Sequence, residues 1–147
     1  LMRLRIGYPP EDIERQVIAR RRKSDPVADL SAVVDKRDLL NAQAAVDRVR
    51  VNEEVIDYLH GLILATRSTP LLSIGASTRA AIALERAVRA IALTAGRNYA
   101  TPDDVKIVGV AVLAHRVRPA GSRDGGPAHV DGERIVRDLL AVLPVPV

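Results

Sequence analysis

The sequence predicts an all-α domain of about five or six helices, preceded by one strand with no partner in the chain. Three observations carry that prediction. Apolar residues recur at helical spacing in one segment after another, each bounded by cap or breaker residues. Aromatics make up only 2% of the chain, as three Tyr with no Phe and no Trp, so the core must be built from Leu, Ile, Val and Ala, as in packed helices. Sustained alternation of apolar and polar residues appears only over the first six positions. The 147 residues suit one domain, and 48% hydrophobic with 27% charged residues suits a buried core under a soluble surface.

The elements follow in order. Met2, Leu4 and Ile6 alternate with Arg3 and Arg5, the period of a half-buried strand. A strand of that length is not stable alone, so its sheet is expected outside these residues. The opening Leu1-Met2 fits the same idea, that the chain is a piece of something longer. Gly7-Tyr8-Pro9-Pro10 breaks the chain. A helix is expected from about Pro10 to Lys23, with Glu11 and Asp12 in its first turn and Arg20, Arg21, Arg22 and Lys23 in its last, matching the helix dipole. Ile13 and Val17 mark its expected buried face. Asp25-Pro26 ends this region, and Ala32-Val33-Val34 is a short extended candidate. Asp35, with Asp38 three residues on, opens a helix from about Lys36 to Val46. Val49-Arg50-Val51 alternates and is a candidate small strand.

Asn52 caps the next helix, with Glu53 and Glu54 in its first turn. Val55, Leu59, Leu62, Ile63 and Thr66 share one face, and Ser68-Thr69-Pro70 stops it. Another helix opens at Gly75-Ala76-Ser77-Thr78-Arg79-Ala80, with Ser77 as N-cap and a wide apolar stripe from Ala80 through Leu84, Val88 and Ala92 to Ala95. Gly96 closes it at C′. Thr101-Pro102-Asp103-Asp104 is the clearest helix start in the chain, and Val105, Val108, Val112 and Leu113 form its buried side. His115 reads as a cation at that helix's negative end rather than as a metal ligand. Pro119 to Pro127, with Gly121, Gly125 and Gly126, reads as a flexible loop. A last helix runs from about Gly132 to Leu143 on Ile135, Val136, Leu139, Leu140 and Leu143, and Pro144 closes it. The organisation expected is 1–9 as strand and hinge, 10–118 as the helical body, 119–130 as loop, and 131–147 as final helix and tail.

The residue with the most functional content is Arg79. It falls in a helix's first turn, where the dipole favours acids and a cation costs up to about 1 kcal/mol. An anion nearby would reverse the sign, because free N–H groups and a guanidinium fork together make a phosphate receptor. A solvated surface arginine is the plainer alternative. Glu85 can pair with Arg89 at i,i+4, whereas no acid stands three or four positions from Arg79. Arg86, on a similar side of the helix, is a weaker second candidate.

Other chemistries are excluded or disfavoured. With no cysteine there is no thiolate site or disulfide, and His60, His115 and His129 lack ligand spacing, so no metal site is expected. Adjacent Glu53 and Glu54 point in different directions on a helix, which disfavours paired acid–base catalysis. No catalytic residue is assigned. The scarcity of aromatics disfavours a base-stacking surface, though a net charge of +4 and the run Arg20–Lys23 keep a free-standing basic module for nucleic acid or a protein partner as the alternative. No apolar run approaches the length of a membrane span and no signal peptide is visible, so a cytoplasmic setting is the default expectation.

Several segments carry a resemblance. Leu71 to Ala80, reading LLSIGASTRA, then Gly96 to Val105, reading GRNYATPDDV, then Val112 to Val117, reading VLAHRV, look like the C-terminal lid of a MoxR-family AAA+ ATPase. Ala65-Thr66-Arg67 also fits, and Arg5-Ile6-Gly7-Tyr8-Pro9 resembles the crossing from the large ATPase domain into the lid. Thr78 departs from the pattern, standing where the family commonly has proline. The resemblance implies a AAA+ lid-type bundle in which Arg79 is the second sensor, reaching the phosphates of ATP, with Ser77, Gly75 and Tyr8 as further nucleotide-binding candidates. It also implies ATP and Mg2+ held mainly by a large domain outside this chain, and contacts with that domain of its own chain and of a neighbouring subunit. A homo-oligomeric, chaperone-like ring and a partner with a von Willebrand factor A domain are implied as well. The chain has no G-x-x-x-x-G-K-[ST] phosphate loop, so it is expected not to hydrolyse ATP by itself.

Overall fold

Six helices and one two-stranded sheet organise the described part of the chain, which in the computed structural model comprises residues 1–20, 27, 30–120 and 128–146. In order they are α1 (Glu11–Arg20), α2 (Lys36–Asp47), α3 (Glu53–Ser68), β1 (Leu72–Ile74), α4 (Thr78–Thr94), α5 (Pro102–Leu113), β2 (Arg118–Pro119) and α6 (Ala128–Val142). The chain divides into two compact units, one of Leu4–Ala42 and the other of Leu1–Arg3 with Gln43–Val147.

The larger unit is the helical bundle that the apolar stripes anticipate. α4 packs on α5 and α3, and α6 closes over α5 and α3. Leu62, Ile63, Leu84, Val88, Val105, Val112, Leu113 and Val136 are fully buried between them. Each such side chain contributes about 1.5–3 kcal/mol when taken out of water. The caps hold as their residue types dictate. Asn52 accepts from Val55 N–H at 3.2 Å and Ser77 from Ala80 N–H at 3.2 Å. At the end of α4, Gly96 adopts φ 75°, its N–H donates to Leu93 O at 2.9 Å, and Arg97 N–H donates to Ala92 O at 3.0 Å, the Schellman pattern.

Two short pairings tie the helices together. β1 runs antiparallel to β2, with Leu72 opposite Pro119 and Ile74 opposite Arg118. The candidate strand at Val49–Val51 reduces to one parallel bridge, Arg50 with Tyr99, closed by Arg50 N–H to Asn98 O and Ala100 N–H to Arg50 O, both at 2.9 Å.

Five expectations need correction. Leu1–Ile6 is not a strand: Arg3 N–H donates instead to Ala111 O at 2.8 Å, one of the open carbonyls in the last turn of α5. A strand needs a neighbouring strand, and among the described residues none is offered. His115 lies beyond α5 and hydrogen-bonds Ala111 in its last turn, but solvent exclusion, then the charges of Arg116 and Arg3, lowers its pKa and so disfavours the cation expected there. Arg116 is the charged side chain that donates into that helix end, to Val112 O at 2.9 Å. α6 begins at Ala128 rather than near Gly132, and Gly132 instead lies inside the helix where it packs against the end of α5: a Cβ there would stand 2.8 Å from Ala114 O. In the smaller unit α1 forms, its first helical bond running from Glu14 N–H to Pro10 O at 2.9 Å, but its apolar face is not buried. Ile13 and Val17 are 43% and 56% exposed, and every described side chain from Leu4 to Ala42 is exposed. In Ala32-Val33-Val34, Val33 and Val34 form a bend rather than a strand. The basic run beyond Arg20, Asp25-Pro26, and the glycines at 121, 125 and 126 lie outside the described residues.

Candidate functional site

The site is built where α3 ends and α4 begins. Four of the other helices, α1, α2, α3 and α5, carry an acid in their first turn; α4 carries none. In that turn Arg79 is exposed and makes no hydrogen bond or ion pair among the described residues. The first N–H groups of a helix have no intrahelical partner. Ser77 uses its oxygen on Ala80 N–H, which leaves the N–H groups of Thr78 and Arg79 facing outward along the positive end of the helix.

The segment leading into Arg79 is held from behind by α3. Thr66, only 1% exposed, donates its hydroxyl to Ile63 O at 2.6 Å, and its oxygen accepts Ala76 N–H at 2.9 Å. The neighbouring Arg67 donates its Nε to Ala76 O at 2.8 Å. Gly75 lies against this same turn. A Cβ on it would stand 2.6 Å from Thr66 O and 2.7 Å from Arg67 Cα, distances a real side chain does not adopt. Gly75, expected among the nucleotide-binding residues, therefore has a packing reason to be glycine. Farther back, Ser73 Oγ donates to Arg118 O at 3.2 Å beside the β1–β2 pairing.

Of the residues singled out from sequence, Gly75, Ser77 and Arg79 come together at this junction. Tyr8 lies in the other unit and is 97% exposed. Arg86 is exposed on α4 and has no partner among the described residues. Arg89 pairs with Glu85, as the spacing anticipates, and also donates to the carbonyls of Val49 and Asp47, closing the end of α2. It lines a cleft of about 570 Å³ with Arg48, Arg50 and Tyr99.

A second buried polar group escaped the sequence reading. Asp104 is 1% exposed and is gripped by Arg97, Nη1 to Oδ2 at 2.8 Å and Nη2 to Oδ1 at 2.6 Å. Thr101 N–H and hydroxyl donate to the same Oδ2 at 2.8 and 3.0 Å. Burial pushes the carboxyl up, but the Arg97 fork and the Thr101 donors outweigh it and hold Asp104 below its ordinary value. The Arg97 guanidinium stacks over the Tyr99 ring, 5.7 Å from its centroid. Both carboxylate oxygens of Asp104 are matched within this cluster, which ties the segment after α4 to the start of α5. Among the described residues no group of three or more His, Asp or Glu is placed to hold a metal ion, and no helix is long and apolar enough to cross a membrane.

Comparison with known proteins places these features in a family. Residues 64–139, which contain the whole junction, match the AAA lid domain. The chain is 34% identical to an uncharacterised protein, YeaC, of Bacillus subtilis over 149 residues, covering 100% of this chain and 45% of that protein. It is 32% identical to Chaperone MoxR1 of Mycobacterium tuberculosis over 126 residues, covering 80% of this chain and 33% of that protein. A crystal structure of a Cytophaga hutchinsonii protein assigned as an ATPase superposes with a TM-score of 0.80 at 25% identity, covering 99% of this chain and 46% of that one. The chain thus spans less than half the length of each of these relatives. The chain belongs to the AAA lid family and is the lid domain of a MoxR-family AAA+ ATPase.

Proposed function

We propose that this lid senses ATP through Arg79 and converts nucleotide state into movement of the helical bundle. The observation that carries the reading is an exposed guanidinium without a partner among the described residues, set in the only described first turn of α1 to α5 that has no acid. That donor set fits a phosphate: a planar fork beside free N–H groups at the positive end of a helix. The nucleotide, with Mg2+, would supply the bond that is hydrolysed, and would be held mainly by the large ATPase domain. Arg79 would add charge to the terminal phosphates, Ser77 would keep the helix end ordered, and Gly75 would set its distance from α3. Arg79 loses its anionic partner when the terminal phosphate departs, so the lid's preferred orientation changes with hydrolysis. Gly7, at φ 75° with open space around it, is suited to a hinge.

The same reading places the parent protein in a homo-oligomeric ring of chaperone-like character, working in the cytoplasm with a partner bearing a von Willebrand factor A domain. Arg86 would face the phosphates or a neighbouring subunit, and the chain alone would not turn over ATP. The test is Arg79→Ala in the intact ATPase. ATP turnover should fall about 100-fold or more, the scale for losing one donor to developing charge, while the isolated chain stays at least as stable to heat, since a cation is unfavourable at that helix end. Unaltered turnover would refute the sensor reading.

A further inference from the structure

We infer that Thr66 and Arg67 at the end of α3 are positioning residues for Arg79, acting through the two peptide groups that flank Ala76. The inference rests on the reading of Arg79 as the nucleotide sensor. Three residues converge on that short stretch from different directions. Thr66 commits its proton to Ile63 O, which leaves an oxygen lone pair aimed at Ala76 N–H. Arg67 sits in the last turn of α3, where an arginine ordinarily serves its own helix's open carbonyls, yet its Nε donates across the gap to Ala76 O. Gly75 removes the side chain that would keep the two segments apart.

Holding both the N–H and the C=O of Ala76 orients the peptide groups before and after it. Those peptides lead straight into the cap residue Ser77, and Arg79 follows three residues after Ala76 inside a rigid helix. The phase of α4 about its axis, and so the direction in which Arg79 points, is set by this grip. The connecting segment is tied at its other end too, by the β1–β2 pairing and the Ser73 hydroxyl. A change at Arg79 is therefore passed to α3 instead of being absorbed by a slack loop.

The experiment is a double-mutant cycle in the intact ATPase, read as kcat and KM for ATP. Thr66→Val keeps the shape and removes both hydrogen bonds. It should cost about 10- to 100-fold in kcat/KM, the scale expected when a contacting group is misplaced by about 1 Å, with the same division between kcat and KM as Arg79→Ala. Thr66→Ser, which keeps the hydroxyl, should restore the rate to within about 2-fold. In the Arg79→Ala background, Thr66→Val should add less than about 2-fold, because residues acting through one group are not additive. If Thr66→Val does not fold, Arg67→Met enters the same cycle, since Arg67 is exposed and loses only its bond to Ala76 O. Arg79→Ala impaired with Thr66→Val and Arg67→Met neutral, or with their losses adding in full to that of Arg79→Ala, overturns the positioning role. Arg79→Ala without effect overturns the sensor reading instead, so the two failures are distinguishable.

Discussion

Gly75→Ala tests the junction on the isolated chain, without nucleotide. The added Cβ would stand 2.6 Å from Thr66 O, and ordinary van der Waals contact begins near 3.4 Å. The backbone must therefore retreat by about 0.8 Å, the difference of the two (3.4 − 2.6). Backbone, not a flexible side chain, is what stands in the way, so the segment and α3 have to part. A retreat of that size along the bonds would stretch Ala76 N···Thr66 Oγ1 from 2.9 to about 3.7 Å and Arg67 Nε···Ala76 O from 2.8 to about 3.6 Å. Both then lie beyond hydrogen-bonding range. A buried N–H left without a partner costs about 1–3 kcal/mol, and Ala76 is buried. Adding the lost bond to Arg67, the variant should be about 2–4 kcal/mol less stable by urea denaturation. Gly61→Ala is the internal control. Its Cβ would meet only Leu143, Cδ1 at 3.6 Å and Cδ2 at 4.0 Å, which is ordinary contact, and Gly61 lies inside α3, so helix propensity should leave the variant neutral or stabilise it by up to about 1 kcal/mol. If both alanine variants unfold at the same denaturant concentration as the parent, the close approach of the segment to α3 is not what holds the junction.

Three further outcomes concern the same chain. Asp104→Asn should cost about 2–3 kcal/mol at pH 7, since it weakens one partner of a buried pair. The carboxyl's folded value is depressed, so its contribution is complete above the ordinary 3.8 and is lost as pH falls below that toward the folded value; the gap to Asp104→Asn should narrow over that range in acid titrations. Gly96→Ala should cost about 1 kcal/mol by thermal denaturation, because φ 75° is strained for any residue with a Cβ. Leu62→Ala, at a fully buried position facing α5 and α6, should cost about 2–5 kcal/mol, and a smaller loss would mean that the bundle collapses readily around the cavity.

Local chemistry was legible wherever it depends on neighbours in sequence. The Asn52 and Ser77 caps, the Gly96 terminus, the Thr101–Asp104 start and the Glu85–Arg89 pair follow from spacing alone, and each forms. The buried faces of α3 and α5 follow from period 3.6 for the same reason. Ile13 and Val17 show the limit of that argument: an apolar stripe says which face seeks cover, not whether cover is present. Asp104 shows another, because a first-turn acid looks alike whether it is solvated or buried under an arginine seven residues upstream.

The sequence by itself determined the helix-rich class, most helix ends, and the place of Arg79 in a first turn without acids, since these depend on propensity, periodicity and contacts a few residues apart. Only the tertiary structure decided what Thr66, Arg67 and Gly75 do. Their partners lie 8 to 10 residues away across a chain reversal, as in Arg67 with Ala76 and Thr66 with Ala76. No pattern in the sequence encodes that reversal. It exists because burying the apolar stripes of α3 and α4 against each other brings the end of one helix to the start of the next, and the polar groups stranded there must then satisfy one another.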